Sequence, residues 1–145
     1  MISADTNLLF YALNAGAPEQ PAARAFFDLH AADTSFVISE LVLAELYGLL
    51  RNPLVSNPPL AAGEAVGIIG HFRRHPTWGL VDYPGPHARI MDELWRCAAT
   101  PDYPRRAIYD ARLALTLRHH GVRQFATRNV ADFVDFGFDR VWNPL

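Results

Sequence analysis

A chain of 145 residues, half of them apolar, has the size of one compact domain over residues 1–145 with a core of ordinary size. The net charge of −2 argues against a general polyanion binder, and no apolar run approaches the roughly 18 residues that a membrane span needs. With no secretory leader and a single cysteine, Cys97, expected in the core, the sequence predicts a soluble cytoplasmic protein.

Short apolar segments alternate with helical patterns along the chain. Strands are predicted at residues 2–4, 35–38, 79–81, 124–126 and, at an edge, 140–142. Helices are predicted at residues 8–12, 21–30, 41–50, 61–75, 86–99 and 105–120, with a short helical turn at 129–133. In the second helix, the predicted apolar face consists of Ala22, Ala25, Phe26 and Leu29. Because each return between strands is a helical crossover, we predict an α/β fold with a mostly parallel sheet.

Three carboxylates have apolar neighbours that indicate buried surroundings. Asp5 follows the first strand, Glu45 lies inside the apolar helix 41–50, and Asp110 lies inside the helix 105–120. Burying unpaired carboxylates is unfavourable, and ligands of parallel sheets bind beyond the carboxyl ends of the strands. A shared divalent cation would keep the three acids ionised, and oxygen ligands favour Mg²⁺ or Mn²⁺ over zinc.

Arginine is concentrated in the second half of the chain. Residues 1–72 carry a net charge of −5 and residues 73–145 a net charge of +3, and all thirteen basic residues are arginine. Guanidinium groups bind phosphates well, so arginines near Asp110 indicate a phosphate-bearing substrate. Arg112 and Arg128 are the candidate phosphate contacts, with ordinary solvated arginines as the alternative. A set of aromatic residues is expected in the core or at a partner surface, with no base-stacking pattern: Phe26, Phe27, Phe72, Trp78, Trp95 and Phe125.

Four short motifs occur in order over nearly the whole chain. They are Asp5-Thr6-Asn7, Ala44-Glu45-Leu46, Asp110-Ala111-Arg112-Leu113-Ala114 and Thr127-Arg128-Asn129-Val130-Ala131-Asp132-Phe133. Together they resemble PIN-domain proteins, most closely the VapC-type toxin ribonucleases of bacterial toxin–antitoxin pairs. The resemblance implies a PIN-like α/β/α sandwich around a mostly parallel sheet of about five strands. It also implies an Mg²⁺- or Mn²⁺-dependent endoribonuclease, a homodimer inhibited by a VapB-like antitoxin, which leaves 5′-phosphate and 3′-hydroxyl ends.

The resemblance also assigns roles to single residues. Asp5 and Asp110 would ligate one or two metal ions, and Glu45 would complete the acidic pocket. Many PIN domains carry an aspartate directly after the late strand, where this chain has Asn129. We therefore give the fourth acidic role, orienting the attacking water, to Asp132 and treat Asn129 as a positioning residue. Two threonines, Thr6 and Thr127, are either caps or supporting hydroxyls of the pocket.

Each of these assignments has an ordinary structural alternative. Asp5 can cap a helix, Glu45 can lie exposed on its helix, and Asp110 can pair with Arg106 one turn earlier. The alternative function is a catalytically inactive PIN-like module that binds RNA or protein. The retention of all three acids argues against this alternative. A phosphatase with Asp5 as nucleophile is disfavoured because its usual second aspartate is Asn7 here. Transfer RNA and ribosomal RNA loops are both compatible targets.

Overall fold

Five short strands form the centre of the protein in a computed structural model that describes residues 1–82, 85 and 89–145. They are β1 (Ile2–Ala4), β2 (Val37–Ser39), β3 (Gly79–Val81), β4 (Gln124–Ala126) and β5 (Arg140–Trp142). Every pairing among these strands is parallel: β2 with β3, β1 with β4, and β4 with β5. A parallel bridge between Ile2 and Phe36 joins the two groups, which gives the order β3-β2-β1-β4-β5. The predicted parallel sheet is confirmed.

Helices make the connections between these strands. They are α1 (Thr6–Leu13), α2 (Gln20–His30), α3 (Glu40–Leu50), α4 (Ala62–Arg73), α5 (Ile90–Ala98) and α6 (Ala107–His119), with 3₁₀ turns at Val130–Asp132 and Val134–Phe136. The observed ends differ by at most two residues from the predicted ones, except that the predicted start of the fifth helix, Pro86, lies outside the described residues. Within the described part of the chain, no helix is long and apolar enough to cross a membrane.

Local signals set two of the helix ends that position the site. The Ser39 hydroxyl accepts a hydrogen bond from the Leu41 N–H at 3.2 Å, so α3 begins directly where β2 ends. After α6, Gly121 has a φ of 82°, in the left-handed region that glycine adopts without strain. The chain then turns back, and the Val122 N–H donates to the Leu117 carbonyl at 3.0 Å. This turn leads directly into β4.

Apolar side chains cover both faces of the sheet. Val37 and Phe125 belong to the larger core, whereas their chain neighbours Phe36 and Ala126 belong to a second core. Successive side chains of a strand point to opposite faces, so the two cores lie on opposite sides of the sheet. This arrangement, with helices connecting parallel strands, is the predicted α/β/α sandwich.

The predicted apolar face of α2 is right for Ala22 and Phe26 but wrong for Ala25 and Leu29. Leu29 is 77% exposed and Ala25 is also exposed. The fully buried residues of α2 are Ala23 and Phe26, and Phe27 and His30 beside them are half-buried. Two adjacent phenylalanines centre the packed face between them, and this rotates Leu29 into solvent.

Cys97 also departs from its predicted place in the core. It is half-buried on α5, where Ile90 and Leu94 are the buried residues. Its neighbour Trp95 is 58% exposed. The short α5 packs through a narrow stripe, so residues beside that stripe keep contact with water.

Replacing Phe36 with alanine should lower the free energy of unfolding by about 3–5 kcal/mol, the usual effect of removing a buried phenylalanine side chain. Phe36 is fully buried, and its ring contacts Phe26, Phe27 and Trp78. The control Leu29→Ala should change stability by less than about 0.5 kcal/mol because that side chain lies in solvent. Equilibrium urea denaturation measures both variants, and equal losses would contradict the packing of α2 described above.

Candidate active site

The three predicted acids line one cleft of about 500 Å³. Asp5 follows β1, Glu45 lies in the middle of α3, and Asp110 lies in the first turn of α6. The cleft is therefore at the carboxyl end of the parallel strands, where ligands of such sheets bind. Its walls also include Thr6, Asn7, Arg106, Tyr109, Arg112 and Asn129.

The Asp5 carboxylate accepts three hydrogen bonds from its own loop and from the loop after β4. Its Oδ1 accepts from the Thr6 N–H at 2.8 Å. Its Oδ2 accepts from the Asn7 side-chain amide at 2.7 Å and from the Thr127 hydroxyl at 2.6 Å. Asp5 thus caps α1 and, at the same time, joins two loops at the cleft.

The two predicted threonines hold two of the carboxylates in place. The Thr6 hydroxyl donates to Glu45 Oε2 at 2.7 Å, which connects α1 with α3. The fully buried Thr127 hydroxyl donates to Asp5 and accepts from the Asn129 N–H at 3.0 Å. The Thr127 backbone N–H donates to the Trp142 carbonyl at 2.9 Å, which fixes this loop to β5. Thr6 is therefore part of the cleft wall, whereas the buried Thr127 supports Asp5 from behind that wall.

Burial raises the pKa of Asp5 from its ordinary 3.8 to about 6. Hydrogen bonds from Thr127 and Thr6 lower this pKa, but the negative charges of Glu45 and Asp110 raise it further. The pKa of Asp110 is also raised, first by partial burial and then by the charges of Asp132 and Glu45. The acids of the cleft repel one another, so a bound cation would favour their ionised forms.

The prediction that all three acids lie in buried surroundings is wrong for Glu45 and only partly right for Asp110. Asp5 is buried, Asp110 is half-buried and Glu45 is exposed. On α3, the buried residues Val42 and Leu46 flank Glu45, whose own side chain faces the open cleft. The unfavourable burial of charge is therefore concentrated in Asp5.

The ordinary alternative for Asp110, an ion pair with Arg106, finds no support among the described residues. The ion pairs of the described residues do not include Asp110 with Arg106. Both side chains line the cleft from the same end of α6. The carboxylate of Asp110 thus remains available to a ligand in the cleft.

The structure places both candidates for the fourth position near the three acids. Asn129 lines the cleft, and its backbone is held by Thr127. Asp132 is exposed on the following 3₁₀ turn, outside the cleft lining, but close enough for its charge to raise the pKa of Asp110. Asn129 is therefore nearer to the cleft wall, whereas Asp132 contributes charge.

The two predicted phosphate contacts differ in position. Arg112 lines the cleft. The Arg128 guanidinium instead contacts the hydroxyl and the ring of Tyr11 and forms an ion pair with Glu19 at 3.1 Å. The structure therefore brings Arg112 into the cleft lining and leaves Arg128 outside it.

Three polar residues of the cleft lining were missed by the sequence prediction: Asn7, Arg106 and Tyr109. Asn7 lies in the same motif as Asp5, and its amide donates to that carboxylate. Arg106 lies four residues before Asp110 on the α6 spacing, which was a usable signal for a shared face. Tyr109 follows the same face, three residues after Arg106 and four before Leu113, so it carried the same signal.

The oxygen-rich donor set suits a hard divalent cation. Asp5 and Asp110 bring carboxylate oxygens, and their pKa values are raised first by burial and then by the charges of neighbouring acids. Among the described residues, no three His, Cys, Asp or Glu side chains form a ready-made metal cage. Mg²⁺ does not require one, because it usually binds through one or two carboxylates and keeps several waters. The residues therefore fit Mg²⁺ or Mn²⁺.

Over all 145 of its residues, the chain is 52% identical to ribonuclease VapC24 of Mycobacterium tuberculosis, of which it covers 97%. The chain belongs to the VapC family of PIN-domain toxins. The predicted resemblance is thereby confirmed, although no family model matches this VapC sequence.

Three solved structures of bacterial proteins share the fold. VapBC2 from Rickettsia felis, bound to a promoter DNA fragment, has a TM-score of 0.66 and 17% identity, covering 99% of this chain and 98% of that one. FitAcB from Neisseria gonorrhoeae has a TM-score of 0.64 and 24% identity over 99% and 98%. The sarcin–ricin loop cleaving toxin VapC20 of Mycobacterium tuberculosis has a TM-score of 0.64 and 18% identity over 86% and 87%.

Magnesium should stabilise this VapC protein more at about pH 7.5 than at about pH 5. The folded pKa of Asp5, about 6, exceeds the ordinary 3.8, so the folded state holds this proton more tightly. The resulting stabilisation is complete below 3.8 and is lost as pH rises through about 6. Above that range Mg²⁺ would replace the proton, whereas at about pH 5 the two would compete. Melting temperatures with Mg²⁺ and with chelator measure the difference.

Two variants make this measurement specific to the cleft. Asp5→Asn should lose the response to Mg²⁺, while Asp28→Asn, which removes an exposed acid of α2, should keep it. An equal response at both pH values, or an undiminished response in Asp5→Asn, would contradict the assignment of Asp5 as a cation ligand.

Proposed function

We propose that this protein is a toxin endoribonuclease that uses Mg²⁺ or Mn²⁺ to hydrolyse RNA phosphodiester bonds at the acidic cleft. The observation that carries the proposal is the convergence of Asp5, Glu45 and Asp110 on one cleft. Identity of 52% to a named ribonuclease over the whole chain supports RNA as the substrate. An inactive binding module would have no use for mutually repelling carboxylates that raise the pKa of a buried group.

Asp5 and Asp110 would hold the metal ion, which when bound neutralises phosphate charge and activates water. Thr127 and Asn7 fix the direction of the Asp5 carboxylate through its Oδ2. Because its direction is fixed, the Asp5 carboxylate does not have to reorganise during the reaction. The metal-binding carboxylate is thus prepared by the fold before substrate arrives.

Glu45 completes the acidic pocket from α3. Its Oε2 is held by the Thr6 hydroxyl at 2.7 Å, and its side chain faces the cleft. Arg112, on the Asp110 helix, supplies positive charge for the substrate phosphate. Asp132 orients the attacking water, and Asn129 positions the loop that carries it. Attack on phosphorus would leave a 5′-phosphate and a 3′-hydroxyl.

A VapB-like antitoxin is the proposed protein partner. The likeness to the VapBC2 structure from Rickettsia felis supports this partner, since the fold matches over 99% of the chain. We also assign the protein to the cytoplasm and to homodimers, as the family resemblance implies. Co-purification with the product of an adjacent short reading frame would identify the antitoxin directly.

Asp5→Asn and Asp110→Asn should each reduce RNA cleavage by about 100-fold or more, the loss typical of removing a group that stabilises charge in the transition state. Growth arrest on induction should disappear with cleavage. Both variants should keep the wild-type circular dichroism spectrum, and the control Asp28→Asn should cleave normally. Wild-type cleavage by either site variant would contradict the proposed mechanism.

The fourth position can be assigned by comparing Asp132→Asn with Asn129→Ala. We expect Asp132→Asn to lower kcat by about 10- to 100-fold with little change in KM, because a water-orienting group acts after substrate binds. Asp135→Asn is the matched control, since Asp135 is an exposed acid on the next 3₁₀ turn. A larger loss in Asn129→Ala than in Asp132→Asn would instead assign the position to Asn129.

A further inference from the structure

One face of α6 runs from the floor of the cleft to its rim. The residues Arg106, Tyr109, Asp110 and Leu113 follow the three- and four-residue spacing of a helix face, and all line the cleft. Leu113 is buried and Asp110 is half-buried, whereas Arg106 is exposed and Tyr109 is 70% exposed. The aromatic ring therefore lies at the rim, next in sequence to a catalytic carboxylate.

The Tyr109 side chain has no structural partner within the described residues. Other tyrosines of the chain are engaged: Tyr11 and Tyr47 each lie beneath a guanidinium group, and the Tyr103 hydroxyl donates to a backbone carbonyl of α6. For Tyr109, the described structure contains no side-chain hydrogen bond, ring contact or cation–π contact. The exposed Tyr109 side chain therefore makes no contact that would stabilise the fold more than a smaller side chain does.

Positive charge accompanies this ring. Arg106 and Arg112 line the same cleft, on either side of Tyr109 in sequence. RNA phosphates approaching Asp5, Glu45 and Asp110 meet repulsion from those carboxylates, which guanidinium groups at the rim offset. An aromatic face beside positive charge is the combination by which proteins hold single-stranded nucleic acid.

We propose that Tyr109 stacks on an unpaired base of the RNA substrate while Arg106 contacts a neighbouring phosphate. The inference rests on the proposed ribonuclease function and narrows the substrate to RNA with unstacked bases at the cleavage site, as in loops and single strands. In an A-form duplex the base faces are covered by their neighbours, so a duplex offers Tyr109 nothing to stack on. Arg106 and Arg112 are positively charged. They therefore favour RNA at the rim of the cleft over a protein segment whose basic side chain would approach the acids.

The test compares Tyr109→Leu, Tyr109→Phe and the wild type in steady-state cleavage of a loop-containing oligonucleotide. Stacking predicts that Tyr109→Leu raises KM by about 5- to 100-fold with kcat nearly unchanged. Tyr109→Phe keeps the ring and should behave like the wild type. Because the side chain is exposed, the melting temperature should stay the same in both variants. Pairing the loop into a duplex should reduce cleavage by the wild type.

An abasic scan of the same oligonucleotide adds a second measurement. One abasic position near the cleavage site should raise the wild-type KM, whereas Tyr109→Leu should not respond to that abasic position. Unchanged KM in Tyr109→Leu, or an equal rise in Tyr109→Phe, would overturn the stacking role. Normal cleavage by Tyr109→Leu combined with weakened inhibition by the antitoxin would also overturn it, and would assign the ring to the protein partner.

The failure of the underlying proposal has a different signature. If the wild type cleaves no RNA in Mg²⁺ or Mn²⁺, the ribonuclease proposal fails and the stacking role fails with it. If the wild type cleaves and Tyr109→Leu is unaffected, only the stacking role fails.

Discussion

The burial of the Asp5 carboxylate is the constraint on which the arrangement of the site depends. At 7% exposure, an ionised carboxylate needs hydrogen bonds, positive charge or both. The fold supplies three donors, from the Thr6 backbone and the side chains of Asn7 and Thr127. The ion pairs of the described residues include none with Asp5. Hydrogen bonds therefore fix its direction but leave its charge unneutralised, which is the condition in which a divalent cation binds.

The pairing of β1 with β4 creates this condition. Ala4 pairs with Ala126 in parallel register, and the Asp5 N–H donates to the Ala126 carbonyl at 2.9 Å. Asp5 and Thr127, which are 122 residues apart in sequence, are consequently side by side. A one-residue slip would move one of them to the other face of the sheet and separate the carboxylate from its donor. The chemistry of the cleft thus depends on the register of two three-residue strands.

Local signals made much of the fold predictable, and distant packing explains the rest. Ser39 begins α3 and Gly121 ends α6 through interactions within a few residues. Their sequence patterns were therefore sufficient to predict these helix ends. The exposure of Leu29 and of Glu45 depends on which elements pack against α2 and α3, which no local pattern contains. Arg128 shows the same limit, since its side chain reaches back to the Glu19 carboxylate. The position of Tyr109 at the rim of the cleft likewise depends on the elements that form the cleft.

The central claim is that Asp5 is a buried carboxylate that exchanges a proton for a divalent cation. Carbon-detected NMR titration of the aspartate carboxyl groups, with and without Mg²⁺, tests it most directly. In metal-free protein the pKa of Asp5 should be about 6, well above its ordinary 3.8, and Mg²⁺ should lower it. A pKa near the ordinary value in the metal-free protein, or no change on adding Mg²⁺ or Mn²⁺, would contradict the claim.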